Sequence, residues 1–524
     1  MTVTREIIRD VHLLNTAVHK AADAYHHTRP VAISRSNIVA GNALHLFDIF
    51  YDLKDLLTIG AITQSPVLLT GGTDMGKTTL AKFAMAGLFG NEGEGWHRLD
   101  IDTDFGKDTY ADKDMSVITE GKKLSDGFYT AQSWLALPGL ILDELNRTHS
   151  AIGNKLLHIL DRDITLPDGK RVKVGYPYEE NKTFQFQITA INEGADYTGT
   201  FDMDKALRRR TIIEIPFDVF PPTPVDRMFI QRQNPKDTLN ADHESNLVRV
   251  LRIYTAANKE MKMNAQAQMF LSYMESFDYC KNSLNGEKGS VHAKGGSIHH
   301  ICTQPRAQNN SALGEGSCEF LRAFTNDLCP YVRGVTPGIS KNLVHVAQGF
   351  ALLRATKFVD AVSGYTQGKS EKALSYKIDS ADQWESSLQK YVGAPIRGEE
   401  LARAAAHKYI DTLVIERQDI ESAITFVGYS KINIAENYVQ KYYQGNKYEA
   451  IRRFTQEAQL KFEQGITYLG IDKVQRIATG TATNEEINES RKYCNAENPW
   501  LWRALSPFLD VQPQEKIPTI NLYD

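Results

Sequence analysis

Hydrophobic positions recur along this chain with two different periods. Ile7, Ile8, Val11, Leu14 and Val18 repeat at helical spacing, which predicts a helix within residues 1–36, followed by a polar connector broken at His26, His27 and Pro30. Leu44, Leu46, Phe47, Phe50 and Leu53 predict a second helix over 43–60. A strand–loop–helix alternation follows. Pro66–Thr70 is a short apolar run, and Thr78–Leu88 is helical with Leu80, Phe83, Ala84 and Leu88 on one side. Arg98–Thr103 alternates, Leu140–Leu142 is fully apolar, and Phe184–Ile191 and Ile212–Phe217 read as further strands. Ile164–Val174 reads as a hairpin turning at Asp168-Gly169. Strands alternating with helices imply an α/β domain with a parallel sheet.

Pro216, Pro221, Pro222 and Pro224 close this block, and the pattern beyond them is mostly helical to about residue 475. The exception is 284–317, rich in Gly, Ser, Asn and Gln, which reads as a long loop. The expected segments are an N-terminal helix and connector (1–36), an α/β core (37–220), a helical and loop insertion (221–330), a helical lid (331–435) with extra residues at 355–412, and a helical C-terminal extension (436–524).

Composition narrows the class without naming a task. Over 524 residues, 42% are hydrophobic and 24% charged, enough apolar surface for real cores and ordinary for a soluble multidomain protein. The 60 basic and 64 acidic residues leave a net charge of −4, which removes a whole-surface nucleic-acid binder but not a local basic channel. Five cysteines make no disulfide scaffold, so a reducing, cytoplasmic setting is expected. No apolar run reaches membrane-spanning length, and MTVTREIIRD lacks the apolar core of a secretory signal.

The chemistry is concentrated in a few strings. Gly71-Gly72-Thr73-Asp74-Met75-Gly76-Lys77-Thr78, followed by Thr79, fits G-x-x-x-x-G-K-[ST] between a predicted strand and a predicted helix. Its glycines let backbone N–H groups converge on phosphate oxygens, and the following helix adds its positive end. Lys77 is expected on the β- and γ-phosphates and Thr78 on Mg²⁺. Leu140-Ile141-Leu142-Asp143-Glu144 is an apolar strand ending in two carboxylates, 66 residues after Lys77. Asp143 would belong to the metal shell, and Glu144 would polarise an attacking water. Asn192 ends another strand, where its amide could orient that water. Arg208-Arg209-Arg210 fits either a solvated face or an arginine finger that reaches a neighbouring subunit's nucleotide.

Together these residues resemble the AAA+ ATPases, in particular the MoxR and dynein-related branch with its CbbQ/NorQ-type activators. Asp143-Glu144-Leu145-Asn146-Arg147 is similar to that branch's D-E-[IL]-N-R, and Gly127–Ala131 to the G-x-x-x-A segment before it. Ile191–Arg210 resembles N-P-x-x-x-Y-x-G-T followed by A-L-x-x-R-F, with Glu193 in place of the proline and Thr211 in place of the phenylalanine. Thr336–Lys341 resembles a sensor-2 string with Lys341 in place of arginine, and Arg417–Ile420 resembles the closing lid helix. The resemblance implies a P-loop NTPase core, ATP and Mg²⁺ as cofactors, and a ring, typically a hexamer. It implies Arg210, or next Arg209, acting in trans and Lys341 near the γ-phosphate. The segments Asp104–Leu124 and Ile164–Val174 correspond to inserts that often face the pore or a partner.

The expected function is an ATP-hydrolysing chaperone that remodels a protein client. Two alternatives are a nucleic-acid translocase of restriction or defence type, disfavoured by the charge, and a nucleotide-gated assembly scaffold. Other constellations carry less. Cys280, His292, His299, His300, Cys302, Cys318 and Cys329 lack paired zinc spacing. The tyrosines and basic residues of 431–465, such as Tyr442, Tyr448 and Arg452, fit core packing better than nucleic-acid stacking. Trp500, Trp502 and Phe508 are expected to dock on the body of the protein.

Overall fold

The computed structural model describes residues 4–23, 25–27, 29–40, 42–101, 111–113, 129–147, 156–193, 203–232, 243–276, 337–366, 376–378, 381–432, 439–440, 443–478, 480–497, 501 and 504–505. Two compact units emerge. The first comprises 1–261 and 345–413, the second 262–344 and 414–524.

The first unit is built on a five-stranded sheet of β3 (Val67–Thr70), β4 (Trp96–Asp100), β7 (Gly139–Asp143), β12 (Phe186–Ala190) and β13 (Ile213–Pro216). Every pairing is parallel, and the order is β13-β3-β12-β7-β4. Strands β3, β7, β12 and β13 are buried at every position, as parallel strands covered on both faces must be. Smaller antiparallel ribbons hang from this frame: β5 (Ala111–Lys113) with β6 (Tyr129–Ala131), β8 (Asp163–Thr165) with β9 (Arg171–Lys173), and β10 (Tyr176–Glu179) with β11 (Lys182–Phe184). The β8–β9 ribbon is the hairpin read from Ile164–Val174. Gly169 supplies φ +89° there, and Asp168 accepts from the Lys170 N–H.

Helix α1 (Arg5–Ala21) carries the apolar face read from the sequence, with Thr4 as its N-cap. It packs on α3 (Lys77–Phe89), the helix that follows the glycine loop. The expected helix over 43–60 is corrected. Residues Asn42–Tyr51 form β2, paired antiparallel with β1 (Ala32–Ala40) and with β14 (Tyr376–Ile378). The helix α2 begins only at Leu53 and runs to Ile62. Leu44, Leu46 and Phe50 satisfy a period of two as well as a helical one, and strand partners on both sides decide the matter. Asp52 and Asp55 then form a reciprocal capping box that fixes where α2 starts.

Asp55 also anchors a buried polar knot. Its carboxylate meets the Lys357 ammonium at 2.9 Å, Asn15 Nδ2 at 3.1 Å and His19 Nε2 at 3.2 Å. Burial opposes its ionisation, but Lys357 and then His19 pull its pKa well below the ordinary carboxylate value. Helices α4 (Lys205–Arg210), α5 (Pro224–Arg232) and α6 (Leu247–Glu260) follow in the first unit.

The second unit is helical where described. Helices Arg417–Lys431 and Lys447–Leu469 pack on each other and on Ala265–Ser276, with Phe270 and Tyr273 against Phe462. Tyr448 is buried and lies 6.0 Å from the Phe426 ring, so this tyrosine is core packing. Trp500, Trp502, Phe508, the Cys/His set of 280–329 and Asp104–Leu124, apart from Ala111–Lys113, lie outside the described residues. Among the described residues no helix is long and apolar enough to cross a membrane.

Candidate functional site

The site lies at the C-terminal edge of the parallel sheet, where β3, β7 and β12 end side by side. Between β3 and α3 the chain turns through Gly71 (φ +133°), Asp74 (φ +59°) and Gly76 (φ +80°). A Cβ on Gly76 would stand 2.9 Å from the Tyr25 ring, and one on Gly71 3.2 Å from the Asp218 carboxylate, so both positions need glycine twice over. A cavity of about 430 Å³ opens above this turn. Thr73, Asp74, Met75, Gly76, Lys77, Thr78 and Thr79 line it from the loop, and Arg98, Asp143, Glu144, Ala190 and Asn192 from the strand ends. Every loop residue from Thr73 to Thr79 proposed from the motif therefore faces the cavity, while Gly71 and Gly72 form its entry turn.

Lys77 is 5% exposed and folded back on its own loop. Its ammonium donates to the Gly71 carbonyl at 2.9 Å, to the Gly72 carbonyl, and to Asn192 Oδ1 at 2.9 Å. Burial draws its pKa below the lysine norm, while Asp218, Asp143 and Asp74 oppose that. A buried ammonium resting on neutral oxygens is well prepared to exchange them for phosphate. Thr78 donates toward both oxygens of Asp143, at 3.1 and 3.0 Å. This hydroxyl and carboxylate are hard oxygen donors of the kind Mg²⁺ takes, so the residues present fit that ion.

Glu144 follows with φ +57°, a left-handed conformation that is costly for a side-chain-bearing residue. Its N–H donates to the Ala190 carbonyl at 2.9 Å, which ties the turn after β7 to the end of β12. The bend turns the carboxylate into the cavity, where Arg147 pairs with it at 2.9 Å. Asn146 donates to the Asn192 carbonyl at 2.7 Å, and Leu145 enters the apolar core. The Asp143–Arg147 string thus has a structural division of labour: Asp143 and Glu144 serve the cavity, and Leu145 and Asn146 the scaffold.

Of the three arginines, Arg208 is spent locally. It is paired with the fully buried Glu214 and meets Glu193 at 3.0 Å. Glu193, which stands in the place of a proline, is thereby a salt-bridge partner. Arg210 is half-buried and donates to Asp161 at 2.7 Å, and Arg209 is exposed. Neither lines the cavity of its own chain. Lys341 is exposed near the start of helix Pro337–Thr366, in the second unit.

Two residues escaped the sequence reading. Arg98, on β4, lines the cavity and pairs with Asp143 at 2.9 Å. A basic residue on a predicted strand is the available signal. Asp218, just past β13, accepts from the Gly72 N–H at 3.2 Å, and no local motif marks it.

Among the described residues one group has metal-ligand geometry, His19 with Asp52 and Asp55. The Lys357 ammonium already serves Asp55 there, so the group is an ion-pair knot.

No known family model and no curated protein matches the chain. Solved structures with a likeness to it include a proposed ATPase from Cytophaga hutchinsonii, with a TM-score of 0.45 and 13% identity over 85% of this chain and 96% of that one. They also include NtrX from Brucella abortus. In its ADP complex the TM-score is 0.23 with 19% identity over 41% of this chain and 44% of that one. In its ATP complex the TM-score is 0.23 with 15% identity over 61% and 65%. The fold class rests on the molecule's own strand order and loop. It is an α/β core of P-loop NTPase type with a parallel sheet, accompanied by helical segments through the C-terminal part.

Proposed function

We propose that the chain is an ATPase that hydrolyses nucleoside triphosphate at this cavity and uses the cycle to remodel or activate a protein client, in the manner of MoxR-like chaperones. The observation that carries the reading is the convergence of Lys77, Thr78, Asp143, Glu144 and Asn192 on one cavity beside a glycine loop. The reaction is phosphoryl transfer to water. The oxygen of water bonds to the γ-phosphorus, and the bond from that phosphorus to the β–γ bridging oxygen breaks. Lys77 leaves its loop carbonyls for phosphate oxygens, and the backbone N–H groups of 72–78 hold the rest of the polyphosphate. Thr78 and Asp143 would hold Mg²⁺, which when bound neutralises charge developing on the phosphates. Glu144 accepts a proton from the attacking water, and Asn192 orients that water.

Arg210, with Arg209 as second choice, is the proposed finger to a neighbouring protomer's nucleotide, and Lys341 the proposed sensor. A ring of this chain, hexameric by resemblance, is part of the reading. What supports Arg210 is its place outside its own chain's cavity, where its partners are an exposed pair with Asp161 and the Ala206 carbonyl. The near-neutral charge of −4 favours a protein client over nucleic acid. The test is twofold. Purified protein should hydrolyse ATP, and Glu144→Gln should bind ATP without turnover. Affinity capture with that variant in ATP should retain a client. Hydrolysis unaffected by the substitution would sink the assignment. In mixed rings, Arg210→Ala should impair only sites at the interface to which it contributes.

A further inference from the structure

Arg98 has no part in the reaction just described, yet it holds the carboxylate on which that reaction depends. Along the β4–β7 ladder Arg98 is in register with Ile141 and Asp100 with Asp143. The guanidinium contacts Asp143 Oδ2 twice, through Nε at 3.1 Å and Nη2 at 2.9 Å. Nη2 also reaches Asp100 Oδ1 at 2.5 Å, near the rim, where Asp100 is exposed. Asp143 itself is 5% exposed, and the Thr78 hydroxyl covers it from the loop side. The Asp143 carboxylate therefore already has a full counter-cation from its own chain.

A guanidinium does not shed its proton, so its charge must be matched wherever it moves. A divalent cation drawn to Asp143 and Thr78 would stand beside Arg98 and repel it. Two acceptors lie within reach of a displaced fork. Asp100 holds one arm already, and the cavity that Arg98 lines is the one in which a polyphosphate would sit. The planar fork matches phosphate oxygens in pairs.

We propose that Arg98 is a switchable counter-ion. Without metal it neutralises Asp143. When a metal–nucleotide complex enters, it gives up Asp143 and moves its fork to phosphate oxygens, with Asp100 holding it at the rim. This rests on the nucleotide reading of the cavity. A consequence follows for metal dependence. With Arg98 in place, a metal-free polyphosphate meets a masked Asp143 and an extra cation. Without Arg98 it meets a carboxylate that no guanidinium masks, and the metal has to offset more of that charge.

The experiment measures the affinity of full-length protein for a fluorescent ADP analogue in Mg²⁺ and in EDTA. The readout is the dissociation constant in each condition and the ratio of the EDTA value to the Mg²⁺ value. Arg98→Ala should weaken binding about threefold in Mg²⁺, where the phosphates lose the fork, and about thirtyfold in EDTA, where Asp143 is also left unmasked, so the ratio rises about tenfold over wild type. Arg98→Lys keeps the charge without the fork and should raise it by about threefold, so it serves where the alanine variant does not fold. A ratio within about twofold of wild type, or an affinity in Mg²⁺ unchanged in the alanine variant, would make Arg98 a purely structural partner of Asp143 and overturn the proposal. Absence of analogue binding to wild type in both conditions would overturn the nucleotide reading itself. That outcome is distinct, because in the former case wild type still binds.

Discussion

The Lys77 ammonium and the Asn192 side-chain oxygen meet at 2.9 Å, joining the loop after β3 to the end of β12. The contact couples the residue that should grip phosphate to the one that should place water. Lys77→Ala removes the buried cation and should weaken ATP binding by about 10- to 100-fold, one to two charge-assisted hydrogen bonds. Asn192→Ala leaves Lys77 its two carbonyl partners, so binding should change by less than about threefold while turnover falls by about tenfold or more. Titration with a fluorescent nucleotide, paired with a phosphate-release assay, separates the two effects. Equal losses of binding in both variants would contradict the division of roles.

Much of this site is legible in the sequence because its parts are contiguous. Gly71–Thr78 is a single string, and its Gly71 and Gly76 are required by φ values and by Asp218 and Tyr25 nearby. Asp143-Glu144 ends an apolar run whose burial is complete. Arg98 is different. Its partner lies 45 residues away, and the pairing depends on the register of β4 against β7, which no local pattern encodes. The same reason explains β2. Its residues satisfy two periods at once, and only the partners β1 and β14, the latter more than 300 residues away, select the strand.

Glu144 is held in a left-handed bend by the Ala190 carbonyl, and its carboxylate is paired with Arg147. Glutamine preserves the shape and the backbone bond but cannot accept a proton well. Glu144→Gln should keep nucleotide affinity within about twofold and reduce hydrolysis by about 10²–10⁴-fold. Glu144→Gly should relieve the bend and stabilise the turn by about 1 kcal/mol while also abolishing hydrolysis, since the strain belongs to the side-chain-bearing residue. Thermal melting beside the hydrolysis assay checks both. A glycine variant that melts lower than wild type would remove strain from the account.

Gly87 of α3 lies against the backbone of α1. A Cβ there would stand 2.7 Å from Val18 Cα and 2.9 Å from the Ala17 carbonyl oxygen. Two competing effects decide the outcome of Gly87→Ala. Helix propensity favours alanine by about 1 kcal/mol. The clash is with backbone rather than a flexible side chain, so α1 must shift as a body, at a cost of about 1–3 kcal/mol or more. The clash should win. We expect a net loss of stability in urea denaturation and faster amide exchange in residues 5–21. An unchanged exchange pattern would show that α1 accommodates the methyl group.

Glu421 supplies the pH test. It is largely buried on helix Arg417–Lys431, 2.9 Å from Arg417 Nε. Burial pushes its pKa up to about 7, in spite of Arg417 and with help from the Glu463 charge. The folded value lies above the unfolded one of 4.5. Between those values the folded protein binds more protons than the unfolded chain, so stability falls as pH rises from 4.5 to 7. The cost is fully present above pH 7 and absent below 4.5, and it reaches at most about 3 kcal/mol. Glu421→Gln cannot ionise and keeps an acceptor for Arg417, which also retains Glu463 as a partner. The variant should therefore be more stable than wild type at pH 8, by about 1–3 kcal/mol, and nearly equal to it at pH 4.5. Urea denaturation at pH 5, 6, 7 and 8 reads the slope directly. If the variant is less stable than wild type at pH 8, the ion pair with Arg417 outweighs burial, and the sign of the assignment is wrong.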